Sequence, residues 1–236
     1  VEEFDRDTTK FLLGLGEILC KEWQKPDNGI WEIRSDRTNH THSMVMAWVG
    51  LDRLMKLSKR YKWKNAPIEK YASTASEVRK QIEQHGFNEQ LGSYVRELRG
   101  SAIDASLLTL PLVGYCDPAS PRMKSTIRLI KEKLTENCLV YRYKNVDDGL
   151  EGSEGAFGIC SFWLAENLAR AGDLEEAISV FETMLQHASP SGLMSEEVDP
   201  KTGELLGNYP QGFTHIGLIN AALTLNEVYK KTGVEV

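Results

Sequence analysis

The chain has 236 residues, 41% of them hydrophobic and 26% charged, which is ordinary globular composition and enough to bury a sizeable core. A net charge of −6 argues against a nucleic-acid groove, since phosphate binding needs clustered Lys and Arg, and the basic stretch from Lys56 to Lys64 reads as the solvated end of a helix. No apolar run approaches the ~20 residues of a membrane span, and nothing resembles a signal peptide in a chain that opens at Val1.

In chain order, apolar periodicity near 3.6 dominates and period-2 alternation is scarce. Residues 5–24 predict a helix with Phe11, Leu12, Leu15, Ile18 and Leu19 on one side, stopped by Lys25-Pro26. A second helix is predicted from His42 to Tyr61, carrying Val45, Trp48, Val49, Leu51, Leu54 and Met55. Asn65 then reads as the cap of a helix with Pro67 in its first turn and Gly86 at its end. Ser101 to Leu110 is short and very apolar, and Ser120-Pro121 opens a helix to about Thr135. Phe157–Ala171 and Asp173–His187 form a helical hairpin broken at Gly172, with Asp173 and Glu176 in the N-cap and N3 places of a capping box. A last helix runs from Phe213 to about Lys231. Trp48 and Trp163 lie inside apolar helix faces and are expected in the core. Cys20, Cys116, Cys138 and Cys160 form no CxxC pair, three of them in apolar settings, so buried free thiols in a reducing cytoplasm are the expectation.

Three long connections, 26–41, 136–156 and 188–212, hold most of the Gly, Pro, Trp and acidic residues outside helices, and such loops are where binding and catalysis usually reside. Two of them carry acidic motifs, Gly29-Ile30-Trp31-Glu32 and Gly192-Leu193-Met194-Ser195-Glu196-Glu197. Two carboxylates from distant loops beside an aromatic wall suit glycoside hydrolysis, in which one acid protonates the leaving oxygen and one base activates water. Among 34 acidic residues such a pair is by spacing a weak signal, and taken alone Glu32 reads better as a capping or solvent-exposed loop acid. Trp31 fits loop packing as well as a sugar platform. Arg142 fits pairing with Asp147 or Asp148, His42 fits a helix cap or loop brace, and His215 fits packing support as well as binding. His40, His42 and Glu32 lack the helical HxxxH spacing of a metal site, so neither metal nor cofactor is expected.

The blocks DNGIWEIR (27–34), THSMVMAWVGLDR (41–53), DASLLTLPLVGY (104–115), VYRY (140–143), EGAFGICSFWL (154–164), GLMSEEVDP (192–200) and GNYPQGFTHIGLINAA (207–222) stand in that order along nearly the whole chain from Trp23. With them the sequence resembles glycoside hydrolase family 15, in the branch of prokaryotic glucoamylases and trehalases. The resemblance implies an all-α fold of the (α/α)6-toroid type with the active-site loops gathered at one end. This chain would hold about eight of the twelve helices, as a single helical domain forming the C-terminal two-thirds of the barrel. It also implies an inverting hydrolase of α-linked glucosides, of the glucoamylase type acting on maltooligosaccharides. A trehalase of the same family is the alternative, and a non-catalytic carbohydrate-binding or regulatory scaffold, or an inactive fragment, the alternative of another class.

Carried over by position, Glu32 matches the general acid and Glu196 the general base, with carboxyl groups about 6.5–9.5 Å apart as inversion requires. Glu197 stands where the family often has Gln. Trp31, Arg142, Tyr143, Glu154, Phe157, Glu197 and His42 are the implied sugar-binding residues. Many prokaryotic members carry Lys where this chain has Met44, and fungal relatives follow the first acid with a second where this chain has Ile33. The implied partners are an oligosaccharide or disaccharide substrate, with no nucleic acid and no membrane. An incomplete barrel would expose apolar flanks, met by self-association or by an N-terminal segment that completes it.

Overall fold

The computed structural model describes residues 4–34, 36–144, 146 and 154–232, so that Asp147 and Asp148, the alternative partners of Arg142, lie outside the described residues. The chain divides into two compact units, Val1–Asn88 with Val95–Ser101, and Glu89–Tyr94 with Ala102–Val236. Helices dominate both, as the 3.6 periodicity predicts, and each strand among the described residues is only two residues long.

The first unit is built on α1 (Arg6–Glu22), α2 (Thr41–Arg60) and α3 (Ile68–His85), followed by the short strand β1 (Phe87–Asn88). Asp5 caps α1 by accepting from Thr8 N at 2.7 Å, and one stripe of each helix meets in a core of Leu51, Leu54, Tyr71 and Ala75, flanked by Leu12, Leu13, Leu19 and Trp48. Trp48 is half-buried at the rim of this core, with Arg79 over its ring at 5.6 Å. The long connection before α2 is closed by the antiparallel bridge Asp27–Thr38, whose two backbone hydrogen bonds are both 3.0 Å, and by Thr41 N donating to Arg96 O at 2.8 Å.

The second unit carries β2 (Ser93–Tyr94), a 3-10 turn (Ala105–Leu108) running into α4 (Thr109–Leu112), α5 (Pro121–Leu134), β3 (Thr135–Glu136) and β4 (Leu139–Val140). It continues through β5 (Ala156–Phe157), α6 (Gly158–Ala171), α7 (Leu174–Gln186), β6 (Glu197–Val198), β7 (Leu205–Leu206) and α8 (Gly212–Thr232). Helix α6 is its centre, buried on nearly every side and packed by both α7 and α8. Its apolar core joins Phe162 and Ala156 to Met184, Met194, Val198 and Ala221. Strands β5, β6 and β7 make one small antiparallel sheet, with Phe157 opposite Glu197 and Glu197 opposite Leu206. That sheet ties the loop after α7 to the start of α6.

Several local expectations are corrected. Asn65 does not cap α3: residues 63–66 form their own turn, with Ala66 N donating to Trp63 O, and Pro67 holds the N-cap position without a side-chain bond. Asp173 stands at the N-cap of α7 but makes no capping bond, and Glu176 turns away to pair with Lys131 of α5. His40, not His42, occupies the N-cap position of α2. Of the cysteines only Cys160 is buried; Cys20 and Cys116 are half-buried and Cys138 is exposed, all of them free thiols. Trp163 is half-buried rather than fully enclosed.

Apolar side chains remain exposed along two helices, Phe11 and Ile18 on α1 and Phe213, Ile216, Ile219 and Leu223 on α8, the last four 53–62% accessible. No helix among the described residues is long and apolar enough to cross a membrane.

Candidate active site

The geometry of the second unit gathers six of the candidate residues. Glu196 enters the loop side of β6, its N–H donating to Asn208 O at 2.9 Å and its carbonyl accepting from Gly158 N at 2.9 Å. Among the described residues its carboxylate is hydrogen-bonded by three donors. Oε2 accepts from Asn208 N and Asn208 Nδ2, each at 2.9 Å, and Oε1 accepts from Gln211 Nε2 at 3.1 Å. Such surroundings suit an acceptor-only carboxylate. Gly207 has φ +70°, and a Cβ there would stand 2.7 Å from Glu196 Oε2, so the turn needs glycine twice over.

One residue on, the pleat sends Glu197 to the opposite side of the strand. Its Oε2 accepts from Gly155 N at 3.1 Å and its Oε1 pairs with Arg142 Nη2 at 3.1 Å, while Arg142 Nε donates to Glu154 Oε1 at 2.6 Å. One cation therefore serves two carboxylates. Tyr143 and Phe157 lie against that guanidinium with ring centroids at 5.2 and 4.9 Å, and both rings are buried. Burial, reinforced by the charge of Glu154, pushes the Glu197 carboxyl above its ordinary pKa, with Arg142 and the Gly155 N–H pulling the other way. Burial alone would weaken the Arg142 cation, but the hydrogen bond and charge of Glu154, together with Tyr143 and Glu197, outweigh it and hold the pKa above its usual value. Arg142 thus finds its acidic partners in Glu154 and Glu197.

The first unit holds Trp31, Glu32 and His42. Gly29 N donates to Asp27 Oδ1 at 2.9 Å, Ile33 is buried, and between them Trp31 is half-buried while Glu32 is exposed. Glu32 sits at φ +50°, a left-handed conformation that costs a non-glycine residue ~1 kcal/mol or more and collects at functional loops. A cavity of about 420 Å³ opens beside this loop, lined by Trp23, Asp27, Gly29, His40, His42 and Met46 among others. Among the described residues no three His, Cys, Asp or Glu side chains are placed to hold a metal ion.

His42 lies in the first turn of α2, where burial lowers its pKa from 6.5 to about 4, against the pull of Asp27 and with the help of His40. Its folded pKa is depressed, so the stability it contributes is complete above pH 6.5 and is lost as pH falls through about 4, ~3 kcal/mol in all. The difference in unfolding free energy between the natural protein and His42→Asn is therefore expected to shrink by that amount between those pH values, read from urea midpoints across the range.

Reading the sequence for acids and aromatics misses Asn208, Gln211, Gly155 and Gly207. The signal available was the run Gly207-Asn208-Tyr209-Pro210-Gln211, whose amides fall a short turn downstream of Glu196. His215 Nδ1 donates to Gln211 O at 2.8 Å.

The chain matches the family model described as glycosyl hydrolases family 15 over residues 3–223. It is 42% identical over 209 residues to a trehalase of Mycobacterium tuberculosis, covering 88% of this chain and 30% of that protein. A trehalase of Mycolicibacterium smegmatis is 40% identical with 88% and 31% covered, and one of Thermoplasma volcanium 36% identical with 89% and 33% covered. The chain thus spans about a third of the length of these curated relatives. Among solved structures, a bacterial glucoamylase complexed with acarbose superposes with TM-score 0.76 at 18% identity, covering 97% of this chain and 40% of that one. A glucoamylase from Saccharomycopsis fibuligera superposes with TM-score 0.74 at 13% identity over 90% and 60%. These likenesses carry the fold, that of the (α/α)6 glucoamylases, of which this chain corresponds to a part. By its sequence from residue 3 to 223 and by its fold, the chain belongs to glycosyl hydrolases family 15.

Proposed function

We propose that the chain is the carboxylate-bearing part of an inverting trehalase. The observation that carries the substrate choice is the identity of 36–42% along nearly nine-tenths of the chain to proteins named trehalase, which favours trehalose over the maltooligosaccharides of a glucoamylase. In this reading Glu196 takes a proton from water as the water oxygen bonds to the anomeric carbon. The carbon–oxygen bond to the second sugar breaks on the opposite face, its electron pair stays on the leaving oxygen, and Glu32 protonates that oxygen. Glu196 ends protonated and Glu32 ionised, and solvent restores both. Arg142 contacts a sugar hydroxyl, held for that by Glu154 and Glu197 with Tyr143 and Phe157 behind it. Trp31 offers a ring face to the sugar, and His42 braces the acid's loop as a neutral imidazole. The exposed faces of α1 and α8 are covered by further helices of the catalytic fold or by a second copy of the chain. The free thiols fit a reducing cytoplasm.

The test incubates the protein with trehalose and, separately, with maltooligosaccharides, following released glucose by NMR before mutarotation. Inversion on trehalose gives one β- and one α-glucose per molecule cleaved. Two α-glucose molecules would overturn the inverting scheme, and release from maltooligosaccharides alone would overturn the trehalase assignment.

A further inference from the structure

We infer that Asn208 and Gln211 are positioning residues that clamp the Glu196 carboxylate and leave its Oε1 as the oxygen that receives the proton from water. The inference rests on the reading of Glu196 as the general base. A carboxylate oxygen has two in-plane lone pairs. On Oε2 both are met by one residue, Asn208, through its backbone N–H and its side-chain amide at 2.9 Å each. The same oxygen is walled by Gly207, whose missing Cβ would stand 2.7 Å away. On Oε1 a single donor is present among the described residues, Gln211 Nε2 at 3.1 Å, which leaves the second lone pair of that oxygen for water. Rotation about the last side-chain bond of Glu196 would break all three bonds, so the carboxylate plane is held by the loop.

Both clamps are themselves anchored. Asn208 O accepts from Glu196 N at 2.9 Å, closing a two-way link between the clamp and the residue it holds. Gln211 N donates to Met194 O at 2.9 Å, and Gln211 Oε1 accepts from Phe213 N at 3.3 Å in the first turn of α8. His215 and Thr214 of the same turn bond to Gln211 O and Ser195 O, at 2.8 and 2.9 Å. The orientation of the base is therefore set by the docking of α8. A general base contributes only when its lone pair is aimed at the attacking water, and small misplacements cost large factors in rate.

Asn208→Ala, which keeps the backbone donor, and Gln211→Leu are each expected to lower kcat about tenfold with KM unchanged and the thermal midpoint within a few degrees. In protein labelled at the glutamate carboxyl carbon, the Glu196 resonance at neutral pH, identified by its loss in Glu196→Gln, moves in both variants while that of Glu197 does not. An unmoved Glu196 resonance overturns the clamp whatever the activity, as does natural kcat in both variants when Glu196→Gln is inactive. Natural turnover in Glu196→Gln with a moved resonance instead removes the base assignment, and with it the role of Oε1, while the clamp itself stands.

Discussion

Glu196→Gln is expected to lower trehalose turnover by at least about a hundredfold, since it removes general-base catalysis while keeping the shape of the side chain. The substitution places an amide where the surroundings offer donors from Asn208 and Gln211, so one N–H must turn away or the Gln211 amide must flip. That rearrangement is expected to cost roughly 1 kcal/mol of stability, small enough for the fold to survive. Glu32→Gln is expected to suppress turnover by a similar factor for a different reason, and the two roles separate with a substrate whose leaving group needs no proton. On α-glucosyl fluoride, Glu32→Gln should recover much of the natural rate, whereas Glu196→Gln should stay inactive because water still lacks its base. Initial rates on trehalose and on the fluoride, with thermal melts of all three proteins, check this. Recovery by Glu196→Gln instead of Glu32→Gln would reverse the assignments.

The largest stability effect is expected at Arg142. Its side chain is 17% accessible, and the guanidinium stands between Glu154 and Glu197, whose side chains are 26% and 14% accessible. Arg142→Met leaves two carboxylates facing one another without their cation, an uncompensated burial that costs about 3–5 kcal/mol. For a chain of this size each 1 kcal/mol moves the midpoint by roughly 2–4 °C, so a fall of the order of 10 °C is expected. Removing one of the stranded charges should recover part of it, and the double variant Arg142→Met with Glu197→Gln is expected to melt above the single one. Arg142→Lys should not restore the natural midpoint, because a single ammonium cannot reach Glu154 and Glu197 along two directions of a planar fork while lying between Tyr143 and Phe157. A double variant less stable than Arg142→Met would show that Glu197 is held by Gly155 rather than by the cation.

Much of this was legible in the amino acids. Helix positions followed from apolar periodicity to within a few residues, because each helix buries one stripe and the stripe repeats at the helical period. Capping was less legible. Asn65 and Asp173 have the right side chains at plausible places, yet a local turn at 63–66 and the absence of a side-chain bond at Asp173 left both caps unformed. The cysteines misled for a related reason: apolar neighbours in sequence do not say which way a single small side chain points, and Cys138 points to solvent.

The candidate carboxylates Glu32 and Glu196, the candidates Arg142, Tyr143 and Phe157, and the helical architecture were legible in the sequence itself, since residue type and helical period are local properties of a chain. What each carboxylate does to its neighbours was decided only in three dimensions. That Glu196 faces Asn208 and Gln211 while Glu197 faces Arg142 follows from β6 pairing with β5 and β7, because adjacent residues on a strand point to opposite sides, with the two amides arriving from the turn after β7 and Arg142 from ahead of β5. Likewise the left-handed backbone at Glu32 belongs to the folded loop closed by Asp27 and Thr38, and the lowered pKa of His42 to its burial in the first turn of α2.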